Sequence, residues 1–241
     1  MAYASRQTHP YIGQTIAVAA SITSAQPIPL DSRRFMLSVL NIHDREALTV
    51  STALRRATAA RHHRIEAVLQ LEGEIDPQRY GRIVQGFERF LGGWEPRIAS
   101  ALPVSLQAWF SGRSRRAMAQ RDMRALALES PLLPDFSPAI GLGSLAAAFG
   151  SMYVMEGSAL GGRVIARELA KRHHIGPCNG GAYFNGWGAD TGSMWRDFGG
   201  LLSLHADGDE RMRSEACTAA VQTFDALIAM FEKQLDGLTA I

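Results

Sequence analysis

The chain is 241 residues long, 46% hydrophobic, and carries a formal net charge of +2. That length suffices for one domain with a full core. Its basic residues are scattered rather than gathered in a patch or stripe, which excludes the usual footprint of nucleic-acid binding and leaves an acidic small ligand compatible. No apolar run approaches the roughly 20 residues that span a bilayer, so no membrane passage is expected. The two cysteines, Cys178 and Cys217, fit neither a metal spacing nor a secreted disulfide framework, and point to a reducing compartment such as the cytoplasm.

In chain order, residues 1 to about 45 are rich in Ser, Thr, Ala and Pro and are expected to form a poorly ordered extension. "TIAVAASITSAQ" (Thr15 to Gln26) faintly resembles a signal peptide, but its apolar run is short and no cleaved leader is expected; Met36 is a candidate alternative start. From Glu46 the apolar residues recur at helical spacing and no segment alternates as a half-buried strand would, so residues 46–241 are expected to form one all-α domain. Helices are predicted over about 46–72, 77–100, 113–129, 137–172, 188–204 and 207–237. "DPQRY" offers an Asp cap with Pro at the first helical position, while "SPLLPDFSP" and "HIGPCNGG" punctuate the chain between helices.

The first predicted helix contains "ALRRATAARHHRIEAVLQLEG". At about 100° per residue, Leu54, Ala57, Thr58, Ile65, Val68 and Leu69 fall on one stripe, which is the expected core face. His63 lies opposite that stripe, whereas His62 lies at its edge. Glu66, four residues on, can take a hydrogen bond from one ring nitrogen of His62 and leave the other bare for a metal. Arg55 sits two turns earlier on the same edge. An ordinary surface histidine–glutamate pair gives the same pattern, so the helix alone leaves both readings open.

In the fourth predicted helix, "YVMEGSALGGRVIAREL" (Tyr153 to Leu169) interrupts a helical pattern with glycines. Gly150, Gly157 and Gly161 are seven and four residues apart and share a face, with Ser158 beside them. Each glycine costs a helix roughly 0.5–1 kcal/mol relative to Ala, so these three with Gly162 cost about 2–4 kcal/mol together. Either close helix packing or a flat ligand lying on bare backbone would offset that cost. Spacing does not choose between them.

Three segments in this order resemble one family. "LRRATAARHHRIE" (Leu54 to Glu66) resembles the proximal helix of heme oxygenases, of the form L-[KR]-x-A-T-x-x-x-H-x-x-x-E. "MEGSALGGRVI" resembles their distal helix, and "GADTGSMWRDF" (Gly188 to Phe198) resembles the following segment of bacterial members, especially those associated with bacteriophytochromes. The resemblance spans about 46 to 237. It implies an all-α heme oxygenase-like fold with heme sandwiched between a proximal and a distal helix. It further implies that His62 is the axial ligand of the heme iron, that Glu66 holds its imidazole, and that Arg55, with Arg196 as a second contact, faces the heme propionates. Gly157, Gly161 and Gly162 match the glycines whose backbone lies over the heme. Ser158 stands where animal members carry an aspartate that organises distal water, a departure that bears on proton delivery.

The resemblance implies heme as both cofactor and substrate, O2 as oxidant, and biliverdin, carbon monoxide and ferrous iron as products. The chain has no dinucleotide fingerprint or cysteine cluster, so the expected electron source is an external reductase or ferredoxin. The subgroup likeness makes a bacteriophytochrome a candidate recipient of the biliverdin. Two other classes remain: a heme-binding carrier or sensor on the same scaffold that does not turn over, and a helical interaction domain without heme.

Overall fold

The computed structural model describes residues 49–70 and 76–236. The chain divides between Asp44 and Arg45. The first unit, with the expected extension, the signal-like stretch and Met36, lies outside the described residues.

Eight α-helices build the described part: α1 (Val50–Leu69), α2 (Pro77–Ala101), α3 (Val104–Ser111), α4 (Arg116–Ala125), α5 (Leu145–His173), α6 (Ala182–Asn185), α7 (Thr191–Ala206) and α8 (Glu210–Leu235). No strand occurs among the described residues. Local chemistry accounts for most helix ends. The Thr49, Asp76, Ser144 and Asp209 side chains accept the Thr52, Arg79, Ala147 and Met212 amides and so cap α1, α2, α5 and α8. Pro77 opens α2, as the "DPQRY" signal expects. Gln70 and His174 end α1 and α5 in the left-handed conformation.

The boundaries differ from expectation in two places. Residues 137–144, expected to begin the long helix, form a 3-10 turn at Ser137–Ala139 followed by a non-helical run, and α5 starts only after Ser144. Gly141 and Gly143 disfavour helix there, and the Gly141 amide donates to Gln222 Oε1 on α8. The expected helix 113–129 is confined to 116–125, because Glu95 of α2 takes the Arg115 and Arg116 amides and fixes the start of α4. Residues 112–115 are thereby a linker, and the short α3 before it falls where no helix was expected.

One apolar core runs through the helices. α8 lies at its centre, packed against α1 on one side and α5 on another, and α5 also carries α7. A Cβ at Gly150 would overlap the Ala216 carbonyl, so α5 and α8 approach closely only because residue 150 has no side chain. Trp94 Nε1 donates to Ser151 Oγ at 2.8 Å, and Ser151 bonds Thr223 Oγ1 at 2.7 Å, which satisfies the polar groups in this crossing. α1 and α5 both rest on α8 but scarcely on each other. The space between them is the site.

Candidate active site

A cavity of about 680 Å³ separates α1 from α5. The α1 wall presents Arg55, Thr58, Ala59, His62, His63, Glu66 and Leu69. The α5 wall presents Tyr153, Gly157, Ser158, Leu160, Gly161 and Val164. Tyr183, Phe184, Trp195, Phe224 and Leu227 close the ends and floor, with Arg115 reaching in from the linker.

On α1 the buried positions Leu54, Thr58, Ile65 and Leu69 follow the expected stripe. The Thr58 hydroxyl is spent on the Leu54 carbonyl at 2.8 Å, so this polar side chain costs the core nothing. His62 Nδ1 lies 3.4 Å from Glu66 Oε2, and the His62 ring stands edge-on to Phe224 with centroids 6.1 Å apart. Its Nε2 has no protein partner among the described residues. His63 is not turned wholly away, as the helical wheel suggests. Its Nδ1 lies 3.6 Å from the same Glu66 oxygen and its ring reaches the cavity's margin, though its side chain is 83% exposed against 59% for His62. Arg55 reaches the same cavity without an ion-pair partner among the described residues, and its charge acts on Tyr153, whose phenol burial pushes up.

The glycines of α5 divide into two kinds. A Cβ at Gly161 would meet nothing within 4 Å, and one at Gly157 would meet only Trp195, in ordinary contact at 3.7 Å. Nothing in the fold forbids a side chain at either place. A Cβ at Gly162 would stand 3.0 Å from the Phe184 carbonyl oxygen, so packing against the α6 backbone favours glycine there, although it also borders the cavity. Gly150 is a packing glycine outright. The shared face therefore serves packing at Gly150 and borders open space at 157 and 161.

Ser158 is less free than its position suggests. Its hydroxyl donates to the Met155 carbonyl at 2.8 Å and accepts from Arg115 Nη1 at 2.7 Å. Arg115, whose part the sequence does not disclose, is 3% exposed. Its Nη1 also donates to Met155 O at 2.9 Å, Nη2 donates to Tyr183 O at 3.2 Å, and the guanidinium lies 4.0 Å over the Tyr183 ring. Its Nε is buried without a partner, and so is the Tyr183 hydroxyl. Burial pushes Tyr183 up to about 12, against the pull of the Arg115 cation. Asp122, buried on α4, accepts the Ala182 and Tyr183 amides at 2.7 Å each and so seats α6 beneath the cavity.

The resemblance assigns Arg196 a propionate contact; it stands on the exposed face of α7 beside Gly192 and is not among the residues that line the cavity. Trp195, one residue earlier, occupies the wall instead, because the helical turn that points residue 195 inward carries residue 196 outward. Arg115 and Tyr183 were missed for a different reason. Both reach the site from outside the two helices that carry the motifs, and "SGRSRRAM" reads as an ordinary solvated charge run.

These features fit a flat, largely apolar ligand with a metal at its centre. Among the described residues, one wall offers an imidazole nitrogen with no other partner, the facing wall offers bare backbone with room before it, and two buried donors lack acceptors. The fold and site thus define an all-helical protein with a largely apolar slot between two helices and a histidine on one face.

The comparisons narrow that class. No family model matches the chain. Over 163 residues, covering 66% of this chain and 90% of the other protein, it is 32% identical to the heme oxygenase of Xanthomonas campestris pv. campestris (strain 8004). The heme oxygenase from Neisseria meningitidis, solved with NO and with CO bound, is similar in fold with a TM-score of 0.63 at 18% identity, covering 78% of this chain and 92% of that one. The chain belongs to the heme oxygenase family. Among the described residues no helix is long and apolar enough to cross a membrane.

Proposed function

We propose that the chain cleaves heme to biliverdin, carbon monoxide and ferrous iron, using O2 and electrons from an external reductase or ferredoxin. The observation that carries this reading is the pairing of walls: His62, with one nitrogen beside Glu66 and the other unpartnered, across from the open backbone of Gly157 and Gly161. When bound, heme supplies the iron at which oxygen is activated and the ring that is cleaved. The protein's part is to ligate, orient and exclude. Glu66 holds the His62 proton on Nδ1 and leaves Nε2 as the ligating atom, a neutral imidazole rather than a thiolate. Arg55, a cation at the cavity edge without an ion-pair partner among the described residues, would anchor a propionate.

Across the slot, bare backbone at 157 and 161 lets the ring come close, and Gly162 holds α5 down on α6 so that the approach is fixed. Ser158 spends its proton on Met155, so it acts as the seat of Arg115 rather than as a proton donor. Arg115 would orient oxygen or water through its Nε, which has no partner among the described residues. The Tyr183 hydroxyl, held protonated far above neutrality, is a buried group beside this wall with a proton to give. The free thiols Cys178 and Cys217 support a cytoplasmic setting. A bacteriophytochrome is the candidate recipient of the product, on the likeness of residues 188–198 to that subgroup.

Hemin titration tests the reading. A Soret band saturating at one heme per chain is expected, followed by its bleaching and the rise of biliverdin absorbance once ascorbate or a reductase system and oxygen are added. A stable Soret band under turnover conditions would make the protein a carrier or sensor, and absence of any band would remove heme altogether.

A further inference from the structure

We propose that Arg113 is a positioning residue that sets the width of the slot from behind, by tying the turn of α5 before Gly157 to the part of α7 that carries Trp195. The inference rests on the heme oxygenase reading for its consequence in turnover, though not for its geometry.

Arg113 lies in the linker between α3 and α4 and is 5% exposed. Its Nη1 donates to Glu156 Oε2 at 2.7 Å, and its Nη2 donates to Asp197 Oδ2 at 2.7 Å and to the Met194 carbonyl at 2.8 Å. The guanidinium lies 4.3 Å over the Trp109 ring, and Trp109 Nε1 donates to the same Asp197 oxygen at 2.7 Å. Three elements therefore meet on one planar cation: α3 through Trp109, α5 through Glu156, and α7 through Met194 and Asp197. A fork of fixed N–H directions defines such a junction far better than a lysine would.

The junction sits directly behind the slot. Glu156 precedes Gly157, while Met194 and Asp197 bracket Trp195, the residue that a Gly157 side chain would touch. Two residues further along the same linker, Arg115 grips the other side of that turn through Met155 and Ser158. Adjacent arginines thus hold residues 155–158 from one short segment, at the point where bare glycine leaves the helix least able to hold itself. Stability alone does not account for the device, since apolar groups of like volume often serve a core equally well in place of a buried ion pair. What it provides is a fixed spacing between Gly157 and Trp195.

The test uses the full chain as Arg113→Met/Glu156→Met, which removes both buried charges together, and as Asp197→Asn, which removes only the half-exposed charge on α7 that Arg113 and Trp109 share. Hydrogen exchange on the heme-free protein is expected to show residues 155–162 exchanging at least tenfold faster in the double variant, with the turn around Gly150 unchanged. In the heme complex, kcat is expected to fall at least tenfold with KM within threefold of wild type, and the C–O stretching band of the ferrous CO adduct to broaden or split. Asp197→Asn should show the same changes at two- to fivefold, and it decides the matter if the double variant does not fold. Wild-type exchange rates at 155–162 in the folded variants overturn the proposal whatever heme does. A wild-type protein that takes up no hemin would instead overturn the heme reading while the exchange data still judge the clamp.

Discussion

The two walls of the cavity are built in opposite ways. The α1 wall works through side chains of its own helix: Arg55, His62 and Glu66 stand along one edge and are placed by nothing more than helical spacing. The α5 wall works through the absence of side chains, and the groups that give it chemistry arrive from elsewhere, Arg115 from the linker and Tyr183 from α6. A helix-borne motif therefore announces the first wall fully and the second only as a gap. That gap has meaning only when the structure shows which glycines face space and which face another backbone.

The contrast is open to direct attack. The largest effect is expected from His62→Ala, which removes the only chemistry the α1 wall cannot replace: turnover should fall by about 10² to 10³ and the Soret band of the complex should move, while His63→Ala should stay within about twofold. A loss of turnover in His63→Ala with normal turnover in His62→Ala would reverse the assignment. On the opposite wall Arg115→Met is expected to lower kcat by about 10², the scale of removing a preorganised donor from a dry site, with little change in KM. Steady-state assays separate these.

Glycine variants sharpen the same comparison within one helix. Gly161→Leu points a side chain into empty space, so thermal stability should hold while turnover drops at least about tenfold, or about 1.4 kcal/mol in the barrier. Gly150→Ala should do the reverse and cost about 3 kcal/mol or more of folding stability, because its Cβ would overlap the Ala216 backbone. Paired denaturation and activity measurements would expose any exchange of roles.

The smallest expected effect is one of pH. Burial raises Tyr183 from the ordinary 10.0 to about 12, so the folded chain holds a proton that the unfolded chain releases first. Its contribution is present below pH 10 and is lost as pH rises from 10 towards 12, with folding weakening by about tenfold in equilibrium constant per pH unit. Tyr183→Phe should flatten that part of the alkaline denaturation curve, leaving the remaining slope to Tyr80, Tyr153 and Cys217, which burial also raises.

How much was legible in the sequence follows from where each group sits. The all-α fold, the core stripe of α1 and the placing of His62 beside Glu66 are periodic facts, and spacing carries them. The late start of α5 was hidden because "AIGLGSLAAAF" keeps an apolar pattern across two glycines, and only the Gly141 bond to Gln222 shows the chain engaged elsewhere. α3 is too short for periodicity to register. Gly162 is joined to Gly157 and Gly161 only by the resemblance to the distal helix, because what stands before each glycine is a tertiary fact; before Gly162 it is the Phe184 carbonyl. Arg113 and Arg115 look like surface charge because burial of an arginine is a tertiary fact, set by Glu156, Asp197 and Ser158 far along the chain.

The division among the glycines of α5 also bears on how this helix can change over generations. Selection for folding alone guards positions 150 and 162, whereas positions 157 and 161 answer only to the ligand. In a library propagated without any demand for heme turnover, alanine and larger residues should accumulate at 157 and 161 while 150 and 162 stay glycine. A lineage that had abandoned the chemistry but kept the scaffold would carry that record in its backbone before any change at His62 revealed it.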